Sequence, residues 1–113
     1  YKHYAPNAQV YIVDEGTDWK QVVDWIKQQP FDVGMMAEEK ILQQATLPMN
    51  AIQFSLGKNV ADASARLFDG LRQFDDQPNV KAIVTQAFPA KDLGRAYMNR
   101  LNKSAGGEHF ATK

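Results

Sequence analysis

Residues whose types and spacing could do chemistry are few in this chain, and the densest group stands at its start. The opening hexapeptide "YKHYAP" sets the phenols of Tyr1 and Tyr4 and the imidazole of His3 beside the ammonium of Lys2, with Pro6 stiffening the exit. Taken alone, such a polar aromatic cluster fits either a frayed terminus or the stub of a linker. The second histidine, His109, lies at the far end with no ligand spacing around it, so a metal site is not expected. Two pairs of adjacent carboxylates, Glu38–Glu39 and Asp75–Asp76, do not share a helix face and read as solvated charge. Ser64 and Ser104 fall in helical patterns without a base nearby in sequence. Nothing assembles a nucleophile, a base and an oxyanion hole, so no catalytic residue is assigned.

One further stretch invites a phosphate. "SLGKN", Ser55 to Asn59, ends a strand pattern and opens a helix pattern, and a glycine and a lysine at a helix amino terminus suit an anion. A true phosphate loop needs a glycine five residues before Gly57, where Ile52 stands, and a hydroxyl where Asn59 stands. A plain helix cap is the better reading.

The elements that must position these residues are regular. "AQVYIVDE", "FDVGMM", "AIQFSLG" and "VKAIVTQAF" are dense in β-branched and aromatic residues and read as strands. Between them, "TDWKQVVDWIKQQP" has a helical apolar stripe capped by Thr17 or Asp18, and "AEEKILQQATL" suits a short helix. "NVADASARLFDGLRQFDDQPN" carries Val60, Ser64, Leu67, Leu71 and Phe74 on one face, with Asn59 as cap and Gly70 marking a tight contact. "DLGRAYMNRLNKSAGG" closes the pattern with a stripe of Leu93, Ala96, Tyr97, Leu101 and Ala105, after which "EHFATK" is expected to be loose. Trp19 and Trp25, six apart, cannot share one narrow stripe, so at least one is expected at the surface or an interface. Strands alternating with helices predict an α/β fold: three-layered, Rossmann-like, with a mostly parallel sheet of about four or five strands flanked by helices.

Composition sets the outer bounds. The 113 residues suit one domain, and the absence of cysteine excludes disulfides and thiolate chemistry and fits a reducing compartment, with the cytoplasm as the default. Thirteen basic and thirteen acidic residues, interspersed, give no basic stripe for nucleic acid. No apolar run reaches the roughly 20 residues of a membrane span.

The hexapeptide resembles the linker signature of the two-domain threonylcarbamoyl-adenylate synthases, which runs lysine, tyrosine, any residue, histidine, tyrosine, any residue, proline. Tyr1, His3, Tyr4 and Pro6 match it, and a strand follows, as "AQVYIV" does here. "ARLFDGLRQFD" is similar to a family helix with a leucine–phenylalanine pair. "DLGRAYMNRLNKSAGG" is similar to a closing segment that begins glycine-leucine-glycine, although Asp92 replaces its first glycine and Tyr97 stands where a smaller aliphatic is common. The resemblance implies that residues 1–8 end an interdomain linker and that residues 9–113 form a C-terminal α/β accessory domain. It implies a missing N-terminal YrdC-like catalytic domain that condenses L-threonine, bicarbonate and ATP, with Mg2+ accompanying the ATP. The product serves threonylcarbamoylation of adenosine 37 in tRNAs reading codons that begin with adenine. It further implies that Tyr1, His3 and Tyr4 form an ATP-binding lid. Lys2, Lys58, Arg95 and Arg100 are the candidates for interdomain or anion contacts, in partnership with the catalytic domain or with the tRNA pathway.

The residues also leave other classes open. A receiver-like module would want its acids at Asp14 and Glu15, but Ser55 stands where the phosphoacceptor belongs. A stand-alone ligand-binding or dimerisation module without a catalytic partner is the main alternative, and a homo-oligomer is left open.

Overall fold

The structure, a computed structural model, describes residues 7–110. Tyr1, Lys2, His3 and Tyr4 therefore lie outside the described residues. Eight elements alternate along the chain: β1 (Gln9–Val13), α1 (Trp19–Lys27), β2 (Asp32–Ala37), α2 (Glu39–Gln44), β3 (Ala51–Ser55), α3 (Val60–Asp75), β4 (Val80–Gln86) and α4 (Leu93–Ala105). Each strand and helix expected from the residue pattern is present. The N-terminal caps are those the sequence offers: Asp18 accepts from the Lys20 amide at 3.0 Å, and Asn59 accepts from the Asp62 amide at 2.9 Å.

The four strands form one parallel sheet in the order β1-β4-β2-β3. This order fixes the layers. Connections β1→β2 and β2→β3 move one way across the sheet, and β3→β4 returns the other way. With a constant crossover hand, the outward helices belong on one face and the return helix on the other. The core divides accordingly. On one face α1 and α2 bury Val22, Val23, Ile26 and Leu42 against Val13, Val33, Met35, Ala37, Ala82 and Val84. On the other, α3 and α4 bury Leu67, Leu71, Phe74, Tyr97 and Leu101 against Val10, Ile12, Met36 and Ile83. Both cores are closed within the chain.

Gly70 is the tight contact that the sequence marks. A Cβ there would overlap the Met36 methyl and lie 2.9 Å from the Phe54 ring, so the glycine lets α3 settle onto β2 and β3. Phe54 also receives the Arg66 guanidinium over its ring, 5.1 Å from the centroid.

Two expectations need correction. The carboxyl tail is not loose through its whole length. The Ile12 amide donates to the Glu108 carbonyl at 3.0 Å and the Phe110 amide to the Ile12 carbonyl at 2.8 Å, a parallel bridge that covers the outer edge of β1. Phe110 meets Trp25 edge to face at 5.7 Å, and His109 Nδ1 lies 2.9 Å from the Asp14 carboxylate. Burying an aromatic side chain there outweighs the fraying expected of a polar end. The α4 stripe is also narrower than its pattern: Tyr97, Leu101 and Ala105 are buried, but Leu93 is 55% exposed and Ala96 is exposed. In its first turn the helix packs through Gly94, which is buried against the Pro89 carbonyl, and Leu93 and Ala96 face away from that contact.

Candidate functional site

In an open parallel sheet, ligands favour the crevice outside the carboxyl ends of the strands. Here that edge is occupied by the chain's own side chains. Gln86, the last residue of β4, receives a hydrogen bond from the Glu38 amide at 2.8 Å and donates through Nε2 to the Glu38 carboxylate at 2.9 Å. The Tyr97 hydroxyl donates to the Gln86 carbonyl at 2.6 Å. Burial pushes the Tyr97 phenol far above the ordinary tyrosine range, and the Glu38 carboxylate adds to that. Glu38 therefore belongs to a bridge between β2, β4 and α4, not to the solvated pair that its sequence neighbourhood suggests.

The "SLGKN" turn is closed in the same way. The Asp62 carboxylate accepts from the Lys58 amide at 2.9 Å, and Asn59 takes the Asp62 amide. The Gly57, Lys58 and Asp62 amides are thus met by side chains of the turn itself, the arrangement of a helix cap. Lys58 itself is exposed.

The candidate cations separate. Lys58 and Arg95 both stand at the carboxyl edge, at the starts of α3 and α4, and both are exposed. Arg100, farther along α4, reaches Ser64 of α3 at 3.3 Å. It borders a groove of about 500 Å³ between the two helices, whose lining includes Ser64, Phe68, Asn99, Lys103 and Ser104. A second groove, of about 630 Å³, runs between α1 and α2 beside Trp19. Both tryptophans are half-buried, Trp25 against Tyr11 and Phe110.

The opposite, amino edge of the sheet holds the entry of the chain. The Asn7 amide donates to the Asp75 carboxylate at 2.9 Å, Ala8 is buried, and Gln9 begins the pairing with β4. Asp75 is thus an anchor for the segment that follows the hexapeptide, which no neighbouring residue in sequence would reveal. Among the described residues, no group of three or more histidine or carboxylate side chains gathers as a metal would require, and no helix is long and apolar enough to cross a membrane.

This geometry defines a class: a parallel α/β domain whose sheet edge is crossed by its own polar groups and whose first described residues, Asn7 to Gln9, are tied down. Comparison with known proteins is specific. The chain belongs to the family described as the C-terminal domain of threonylcarbamoyl-AMP synthase, which matches residues 1–106. It is 30% identical over 111 residues to the threonylcarbamoyl-AMP synthase of Pyrococcus abyssi and 33% identical over 110 residues to that of Bacillus subtilis. The alignments cover 94% and 95% of this chain but only 30% and 31% of the two relatives, so the chain spans about three tenths of their length. The crystal structure of P. abyssi Sua5 complexed with L-threonine superposes with a TM-score of 0.76 at 32% identity, covering 97% of this chain and 32% of that one. A C-terminal Sua5 domain from Pyrococcus horikoshii gives 0.60 at 27% identity, covering 93% of this chain and 96% of that one.

Proposed function

We propose that this chain is the accessory domain of an enzyme that condenses L-threonine, bicarbonate and ATP into threonylcarbamoyl-AMP and pyrophosphate in the cytoplasm, for the modification of adenosine 37 in tRNA. Residues 1–8 end the linker from a YrdC-like catalytic domain, and residues 9–113 are the clamp that holds it. The observation that carries this reading is the anchoring of the chain right after the hexapeptide: Asn7 bonded to Asp75, Ala8 buried, and β1 paired with the central strand β4. A lid needs one fixed end, and this domain supplies it.

In this reading Tyr1 and Tyr4 lay flat apolar area over the nucleotide, with their hydroxyls toward phosphate oxygens. His3 donates to the same anionic group and Lys2 adds positive charge. Pro6 restricts the linker and lowers the entropy lost on closure. Closure excludes water, which matters because carbamates and acyl-adenylates hydrolyse readily. The described residues offer no donor cluster that fits a magnesium ion, and none of the roles given to this chain involves one.

The test is threonine- and bicarbonate-dependent pyrophosphate release from ATP by the full-length protein, compared with a version ending before Tyr1 and with a full-length Tyr4→Phe variant. Activity that collapses on truncation and falls in the folded Tyr4→Phe variant supports the lid. Equal activity in all three reduces the hexapeptide to a tether, and no activity in any soluble form overturns the reading.

A further inference from the structure

We propose that the outer edge of β3 pairs with β3 of a second copy of this chain, antiparallel and centred on Gln53, so that two 4-stranded sheets join into one. The fold treats the two edges of its sheet differently. The outer edge of β1 is covered by Glu108 to Phe110, while β3 ends the sheet with no strand beyond it among the described residues. Exposed edges are commonly blunted by a charge, a proline or a bulge. β3 holds neither a charge nor a proline, and its ladder with β2 runs without a register shift. Gln53, at its middle, is exposed.

The backbone groups along that edge choose the partner. The Val33 amide donates to the Asn50 carbonyl and the Leu56 amide to the Ala37 carbonyl, so the even-numbered residues of β3 turn toward β2. By alternation, Ala51, Gln53 and Ser55 turn outward. Two of their groups are met inside the chain: the Ala51 amide donates to the Pro48 carbonyl at 3.0 Å, and the Ser55 carbonyl accepts from Arg66 Nε at 2.8 Å. The Ala51 carbonyl, the Ser55 amide and both groups of Gln53 remain. A two-fold axis through Gln53 sets each Gln53 amide on the other copy's Gln53 carbonyl, and each Ser55 amide on the other copy's Ala51 carbonyl. Every remaining group then has a partner. The pair that this register leaves out, the Ala51 amide and the Ser55 carbonyl, is the pair already satisfied. A slip of two residues in either direction sets a free group against a satisfied one. This edge is therefore complementary to itself, as a closed two-fold contact requires. Because β3 is uncharged, no like charges meet across the axis. Met49, just ahead of the strand and fully exposed, adds apolar surface beside the contact.

The experiment is sedimentation equilibrium on the full-length protein and on this chain, whose two cores close internally. Each is compared with its Gln53→Pro and Gln53→Lys variants. A monomer–dimer equilibrium is expected for both natural proteins. Gln53→Pro removes the central amide, which β2 does not use, and should abolish the dimer. Gln53→Lys keeps the backbone and sets like charges opposite each other, so it should weaken the dimer about fivefold or more at low salt, with recovery as salt rises. The chain has no cysteine, so Gln53→Cys supplies a single thiol. Residues opposed in antiparallel strands lie at a separation that a disulfide spans. Oxidation should link Gln53→Cys quickly, and Asp24→Cys, exposed on α1, far more slowly. A monomer at all concentrations up to about 1 mM overturns the proposal. So does a dimer undiminished in folded Gln53→Lys, or linkage of Asp24→Cys as fast as that of Gln53→Cys. If this chain dimerises while the full-length protein stays monomeric, the edge belongs to the rest of that protein and the second-copy proposal falls. None of these readouts involves the nucleotide or the hexapeptide, so this proposal and the lid can fail separately.

Discussion

The Tyr97 hydroxyl and the Gln86 carbonyl are 2.6 Å apart, and this one bond ties the middle of α4 to the last residue of β4. The Gln86 side chain meanwhile clasps Glu38 at the start of α2. A single residue at the end of the central strand thus joins the elements of both faces, and Phe88 adds an edge-to-face contact with the Tyr97 ring at 5.1 Å.

Tyr97→Phe is expected to cost about 1–2 kcal/mol at neutral pH, because it leaves a buried carbonyl without its donor. The pH dependence has a definite sign. Below the ordinary tyrosine pKa of 10.0 both folded and unfolded chains keep the proton, and the contribution of Tyr97 is fully present. Above it the unfolded chain ionises first, so stability falls as pH rises toward the higher folded value. Urea unfolding from pH 7 to 11 should show the advantage of the natural protein over Tyr97→Phe shrinking above about pH 10.

Thr85 lies in the centre of the sheet at 0% exposure, and its Oγ1 has no hydrogen-bond partner among the described residues. Thr85→Val keeps the shape and removes the orphaned hydroxyl. A gain of about 1–2 kcal/mol in denaturant unfolding is expected; a loss would mean that the hydroxyl is satisfied in solution.

The segment Asp92-Leu93-Gly94 gives physical content to the glycine-leucine-glycine pattern that its sequence departs from. Asp92 has φ 54° and ψ −127°, the only positive φ among described non-glycine residues and outside the left-handed region that aspartate tolerates. Asp92→Gly should therefore raise stability by about 1 kcal/mol, the relieved strain exceeding the entropy cost of glycine. Gly94 is the converse: a Cβ there would overlap the backbone carbonyl of Pro89, which cannot swing aside. Gly94→Ala is expected to cost about 3 kcal/mol or more, read as a lowered melting temperature.

Deleting residues 108–113 should uncover the edge of β1 and one side of Trp25. The expected result is a red-shifted tryptophan emission and a loss of about 1–2 kcal/mol, the burial of part of one aromatic side chain. Unchanged emission would show that the bridge to Ile12 does not hold the tail.

The elements were legible because their signals are local. The β-branched runs, the caps at Asp18 and Asn59 and the packing glycine at Gly70 each act within a few residues or one face. What could not be read is what pairs across distance. Asp75 looks like one more surface acid until Asn7, 68 residues away, is found on it. Glu38 and Gln86 are separated by 48 residues, and nothing in either neighbourhood names the other. The tail at Phe110 is hidden from local patterns for the same reason, since its partners are Ile12 and Trp25. The hexapeptide was legible only as a family signature.

The strand order also sets a timetable. β1 is made first, yet its inner neighbour is β4 and its outer edge waits for Glu108 to Phe110. On the ribosome, β1 stays without a strand partner until β4, the last of the four strands, has emerged. The grip on Asn7 forms no earlier than Asp75 emerges. A nascent chain that stops before Asp75 therefore carries this entry segment without its anchor.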